Sequence, residues 1–135
     1  MDNSLKIGKY IKLILERNEN VNRLVPSNRI WALCAPDNPK YPFIVYSRSS
    51  LIVNYNKDVY MNQKCLNDVQ VTIDCHGKTY TESVEVANMV RNALEYTQVR
   101  NDEITIDTFK LVGSSELTDG EGDYTQILVF STTIQ

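Results

Sequence analysis

Along residues 69–76 apolar and polar side chains alternate, Val69-Gln70-Val71-Thr72-Ile73-Asp74-Cys75-His76, the period-two pattern of a strand buried on one face and wet on the other. After Gly77 the period lengthens. Thr79 and Glu82 have the spacing of a capping box, and Val86, Ala87, Val90, Ala93 and Leu94 then recur at helical spacing on one side. A strand and a helix that each carry one apolar face bury both most readily against each other. The expected nucleus is therefore α+β, with Val69, Val71 and Ile73 turned toward Val86, Ala87, Val90 and Leu94.

The remaining elements follow from the same patterns. Asn3 to Arg17 predicts a helix with Asn3 or Ser4 as N-cap and Ile7, Ile11, Ile14 and Leu15 as its buried stripe. Asn18-Glu19-Asn20 breaks that pattern, and Val21 to Val25 predicts a single turn stopped by Pro26. Residues 29–35 predict a first strand, in which Ile30, Trp31 and Leu33 supply the bulk, and three prolines keep the segment from Pro36 to Pro42 out of any ladder. Phe43-Ile44-Val45-Tyr46 predicts a strand covered on both faces or lying at an interface.

Between Ser47 and Asp68 two β-prone runs, Leu51-Ile52-Val53-Asn54-Tyr55 and Val59-Tyr60-Met61, flank the turn signal Asn56-Lys57-Asp58. A hairpin arm or a long ordered loop is expected there. Glu103 to Val112 predicts a strand whose phase slips through a bulge near Thr108. Ser114 to Gly122 then predicts an exposed connection, and Tyr124 to Ile134 a closing strand paired antiparallel with its predecessor. The expected fold class is α+β over a single domain, residues 1–135. A mostly antiparallel sheet of about four to six strands packs on two helices, in the order α-β-β-(β-hairpin arm)-β-α-β-β.

Composition narrows the classes. At 42% hydrophobic and 23% charged the chain has the balance of a soluble globular domain, and its length suffices to bury a core. No apolar run approaches the roughly 20 residues that span a bilayer, and no signal-peptide pattern opens the chain, so a cytosolic product without membrane partners is expected. Fourteen basic against seventeen acidic residues, a formal charge of −3, argue against a surface that coats nucleic acid or reads its sequence. Cys34, Cys65 and Cys75 are an odd, widely spaced set, which suits reduced thiols.

Little catalytic chemistry is legible. His76, the one histidine, follows Cys75 in a strand, where alternation sends the two side chains to opposite faces and prevents a shared proton. One histidine and scattered cysteines offer no zinc spacing. Asp119, Glu121 and Asp123 among Gly120 and Gly122 lack the loop length and terminal glutamate of an EF-hand and suit a solvated hairpin tip better. The five glycines are dispersed, without a phosphate-binding loop. No catalytic residue, cofactor or metal is expected. Eight tyrosines are many for this length, and with net negative charge they favour a protein partner over nucleic acid.

Several stretches in order resemble the tail-completion or tail-terminator family of long-tailed bacteriophages and related prophages. These are Val21-Asn22-Arg23-Leu24-Val25 with Arg29-Ile30-Trp31, then Pro42-Phe43-Ile44-Val45-Tyr46 after a proline-bearing loop, and the strand from Val69 to Cys75. Tyr80-Thr81-Glu82-Ser83, Val86-Ala87, Val90-Arg91 and Ala93-Leu94 resemble the family's long helix, and Tyr124 with Ile127-Leu128-Val129-Phe130 its last strand. Cys75-His76 stands where that pattern has a large aromatic, and the arm from Leu51 to Leu66 has no counterpart in it.

The resemblance implies a non-enzymatic virion component, assembled in the bacterial host cytoplasm. It implies a homo-oligomeric ring, a hexamer, that caps the tail tube, stops its polymerisation and contacts the tail tube protein and a head-tail joining protein. A head-tail connector of the neck is the alternative in the same class. A small cytosolic α+β enzyme or ligand-binding domain using Cys75 or the tyrosines is the alternative from another. The expected interface is the arm, Leu51, Ile52, Val53, Tyr55, Val59, Tyr60 and Met61, together with Phe130 and Ile134 of the closing strand.

Overall fold

The structure, a computed structural model, describes residues 3–54 and 66–135. Helix α1, Ile7–Arg17, follows a single 3-10 turn and has no side-chain cap. Asn3 stands at the N-cap position of that turn but makes no side-chain capping bond, and its Nδ2 donates to the Glu103 carbonyl at 2.6 Å. The buried stripe is Ile7, Tyr10, Ile11 and Leu15, with Ile14 only partly covered beside it. At Asn18 the chain turns, and the expected break is the start of a second helix: Asn18 accepts a hydrogen bond from the Val21 N–H and caps α2, Glu19–Leu24.

Strand β1 is only Ile30–Ala32. Leu33 sits at φ 69°, a left-handed conformation that leaves the ladder, so it ends the strand and stands in solvent instead of adding bulk. The two long strands β2, Phe43–Asn54, and β3, Leu66–Gly77, each have 12 residues. They absorb both flanks of the expected arm, Leu51–Asn54 and Leu66. Residues 55–65 lie outside the described residues.

Helix α3, Tyr80–Leu94, begins where the capping-box spacing places it. Thr79 Oγ1 accepts from the Glu82 N–H at 3.1 Å, and Glu82 Oε1 reaches back to the N–H of Lys78 at 2.8 Å, one residue before the N-cap. Gly77 makes the approach possible: a Cβ there would stand 2.5 Å from the Ser83 nitrogen.

After α3 the chain forms β4, Val99–Arg100, β5, Thr105–Ile106, β6, Lys110–Thr118, and β7, Tyr124–Ile134. The single strand expected over residues 103–112 is two strands. Between them the N–H of Asp107 bonds Thr133 O and the N–H of Phe109 bonds Thr97 O, which drives the Phe109 ring into the core. The bulge falls between Leu111 and Gly113, not at Thr108. The expected connection over 114–122 is mostly strand, because β6 runs to Thr118 and only the segment up to Tyr124 turns.

The sheet order is β1-β2-β3-β7-β5-β4, with β6 also on β7. Among the described residues only β1 and β2 are parallel. The α+β class and the antiparallel β6–β7 hairpin are as expected, and a short third helix and the two-residue strands complete them. Val69, Val71, Ile73 and Cys75 of β3, with Leu128, Phe130 and Ile134 of β7, bury one face of the sheet with Val86, Val90 and Leu94 of α3 and Ile7, Ile11 and Leu15 of α1. The opposite face of the central strands carries Asp68, Gln70, Thr72 and Asp74, exposed or half-buried.

Candidate assembly surface

At the base of the arm, alternation along β2 divides the expected interface residues. Leu51 packs against the core, whereas Ile52, across from Asp68 on the open face, is 60% exposed. Val53 is half-buried. Asn54 Nδ2 donates to Asp68 Oδ2 at 2.7 Å, a diagonal link between β2 and β3 two residues from the last described rung. Tyr55, Val59, Tyr60 and Met61 lie outside the described residues. Phe130 and Ile134 are fully buried and offer nothing to a neighbour. They were expected to lie at an interface on the premise that β7 closes the sheet. Instead β7 is internal, between β3 and the β6/β5 edge, and its apolar face covers the helices.

Cys75 and His76 do point to opposite faces. The Cys75 thiol is enclosed in the core, and burial raises its pKa, which makes it a poor nucleophile. His76 stacks on Phe43 with centroids 4.3 Å apart, and its Nδ1 lies 2.9 Å from Asp123 Oδ1 and 3.0 Å from Thr125 Oγ1. Trp31 and Tyr41 continue the aromatic cluster around Phe43. This histidine therefore joins the β6–β7 turn to the end of β3. Asp119 Oδ1 accepts from the N–H groups of Glu121 and Asp123, at 2.7 and 3.1 Å, which lowers its carboxyl pKa and shapes the turn. Among the described residues no three His, Cys, Asp or Glu side chains converge on a metal-sized point.

Two further acids were not legible in the sequence. Glu103 gathers Lys6 at 2.8 Å, Lys9 at 3.1 Å and the Tyr10 hydroxyl, which hold its pKa down to about 2. It clasps α1 to the segment before β5, partners more than 90 positions away that no local pattern announces. Asp74 lies on the open face across from Val45 and Ile127. Its Oδ1 is buried with no hydrogen-bond partner among the described residues, and desolvation raises its pKa.

β6 is also new. It pairs only with β7 among the described residues, and every residue except Leu111 is exposed, including Val112 at 55% and Leu117 at 62%. A strand wet on both faces has no hydrophobic alternation to reveal it.

These observations define an α+β subunit whose polar clusters brace helix and strand ends and whose sheet is open on one face and at its edges. The model of the family described as tail completion protein gp17 matches residues 14–135, and the chain belongs to that family. It is a bacteriophage-type structural protein of the virion tail. No curated protein matches the chain. Among solved structures, a chain of the virion of a native gene transfer agent particle shares the fold, with a TM-score of 0.70 at 12% identity over 92% of this chain and 90% of that one.

Proposed function

We propose that the chain is the subunit of a ring that caps the tail tube, ends its polymerisation and prepares the tail for joining to the head, without catalysis. The observation that carries this reading is membership of a tail completion family over nearly the whole chain. A ring that stops growth needs two complementary surfaces related by a rotation that closes. The β2–β3 arm, with Ile52 exposed at its base and four further apolar or aromatic residues beyond the described part, is the surface proposed to meet the tail or a neighbour.

Deletion of the gene from its virus tests the reading. Tails of uncontrolled length support a terminator. Tails of normal length that fail to join heads would assign the chain to the neck instead. Native mass spectrometry of the chain released from purified tails should give a closed multimer, the expected hexamer. Replacing Tyr55 and Tyr60 together by serine should weaken assembly and leave thermal unfolding of the free subunit nearly unchanged. If the double variant unfolds the subunit instead, the arm belongs to the core.

A further inference from the structure

The helices cover one face of the sheet, that of Val71 and Ile73, and among the described residues they leave the other face bare, with Ile52, Asp68 and Gln70 exposed on it. One row of cross-strand partners on this bare face is Trp31, Val45, Asp74, Ile127 and Ser115. Val45 is buried and Ile127 half-buried, so a single carboxyl group stands between two aliphatic side chains. The rows on either side, from Phe43 to Leu117 and from Ser47 to Gly113, add no lysine or arginine.

Asp74 is therefore embedded without compensation. Its Oδ1 is buried and has no hydrogen-bond partner among the described residues. The basic group closest along the strand is His76, and its Nδ1 is turned to Asp123 Oδ1 at 2.9 Å. A desolvated carboxylate of this kind is costly alone and holds a cation strongly once one is brought to it.

The helix layer of the same chain carries the complement. Helix α1 ends in Arg17, which is exposed and has no carboxylate partner among the described residues, unlike Lys6 and Lys9 on Glu103 or Arg91 on Glu95. Leu13 and Ile14, one helical turn earlier on the same side, are only partly covered. A cation beside two aliphatic side chains thus stands on the helix layer, and a carboxylate beside two aliphatic side chains on the bare sheet face. The two patches are different surfaces of one molecule, so they meet head to tail between copies, as a ring requires and a two-fold dimer does not.

We infer that copies of this chain join with the Leu13, Ile14 and Arg17 patch of one seated on the bare sheet face of the next, its guanidinium brought to Asp74. The inference rests on the ring reading above and names the surfaces that join its subunits.

Asp74→Asn keeps the shape of the side chain and removes its charge. The free subunit is expected to melt at the same temperature or higher, while the yield of completed tails falls about tenfold or more, the worth of one charged hydrogen bond. Arg17→Glu should lower the yield equally from the other side of the contact. Normal yield from both variants overturns the contact, and so does a lowered melting temperature for Asp74→Asn, which would make the carboxylate an internal strut. Thr72→Cys on the bare face and Leu13→Cys on α1, in a chain with Cys34 and Cys65 replaced by serine, test the juxtaposition directly, since Cys75 is enclosed in the core. In purified tails treated with a flexible bis-maleimide, the double variant should give a ladder of cross-linked copies and neither single variant any. A multimer in the tail without this cross-link, although the free subunit labels at both thiols, overturns the contact and leaves the ring. A single copy per tail overturns both.

Discussion

Replacing Ile73 by alanine probes the packing that everything else is built on. Ile73 is fully buried at the middle of β3, between Tyr46 of β2 and Leu128 of β7 and beneath α3. The substitution removes three carbons, and at about 0.8 kcal/mol per buried methylene the lost transfer energy is about 2.4 kcal/mol. A residual cavity of roughly 60 Å³ at about 24 cal/mol per Å³ adds about 1.4 kcal/mol. A loss near 4 kcal/mol is expected, inside the usual range of about 2–5 for such truncations. With an unfolding entropy of roughly 2.1 cal/mol/K per residue, this lowers the melting temperature by about 14 °C. Urea unfolding followed by circular dichroism measures it, with Gln70→Ala on the wet face of the same strand expected to change stability by no more than about 0.5 kcal/mol. If Ile73→Ala costs less than about 1 kcal/mol, or no more than Gln70→Ala, the strand–helix nucleus is not what holds the subunit together.

Gly77→Ala should destabilise by about 1–3 kcal/mol, because its Cβ meets main chain at 2.5 Å and the first turn of α3 must move; thermal melting checks it. Lowered to about 2 by its lysine and tyrosine partners, the Glu103 pKa makes a stabilising contribution that is complete above the ordinary carboxylate pKa of 4.5 and lost as pH falls from there toward 2. Glu103→Gln should therefore flatten the acid limb of a stability-versus-pH curve over that window. Cys75→Ser and His76→Ala should leave tail assembly close to normal wherever the subunit still folds, although Cys75→Ser buries a hydroxyl at a cost of about 1–3 kcal/mol. Failed assembly by a folded, still oligomeric variant would revive a chemical role for the pair.

What the sequence made legible is what local periodicity encodes. The strand from Val69 to Cys75, the capped helix after Thr79 and the last strand each lay a buried face on the core, so their patterns are strong. The misses share the opposite property. β6 is wet on both faces, β1 is cut short by the left-handed Leu33, and Phe109, between strands, is turned inward by main-chain bonds to Thr97 O and from the Tyr96 N–H, distant in the local pattern. Phe130 and Ile134 were legible as apolar but not as core, since a strand's neighbours in the sheet are a property of topology and alternation alone does not say which strand is last.

That same division bears on how such a subunit avoids associating with everything. A long, flat, apolar edge strand is an aggregation template. Here one free edge is three residues long and the other is interrupted by a bulge between Leu111 and Gly113, with Lys110 at one end and Glu116 near the other. Neither edge carries a run of alternating apolar side chains that would hold an arbitrary strand. Stability resides on the helix-covered face, so core truncations should lower the unfolding free energy far more than substitutions along the exposed strand β6 do.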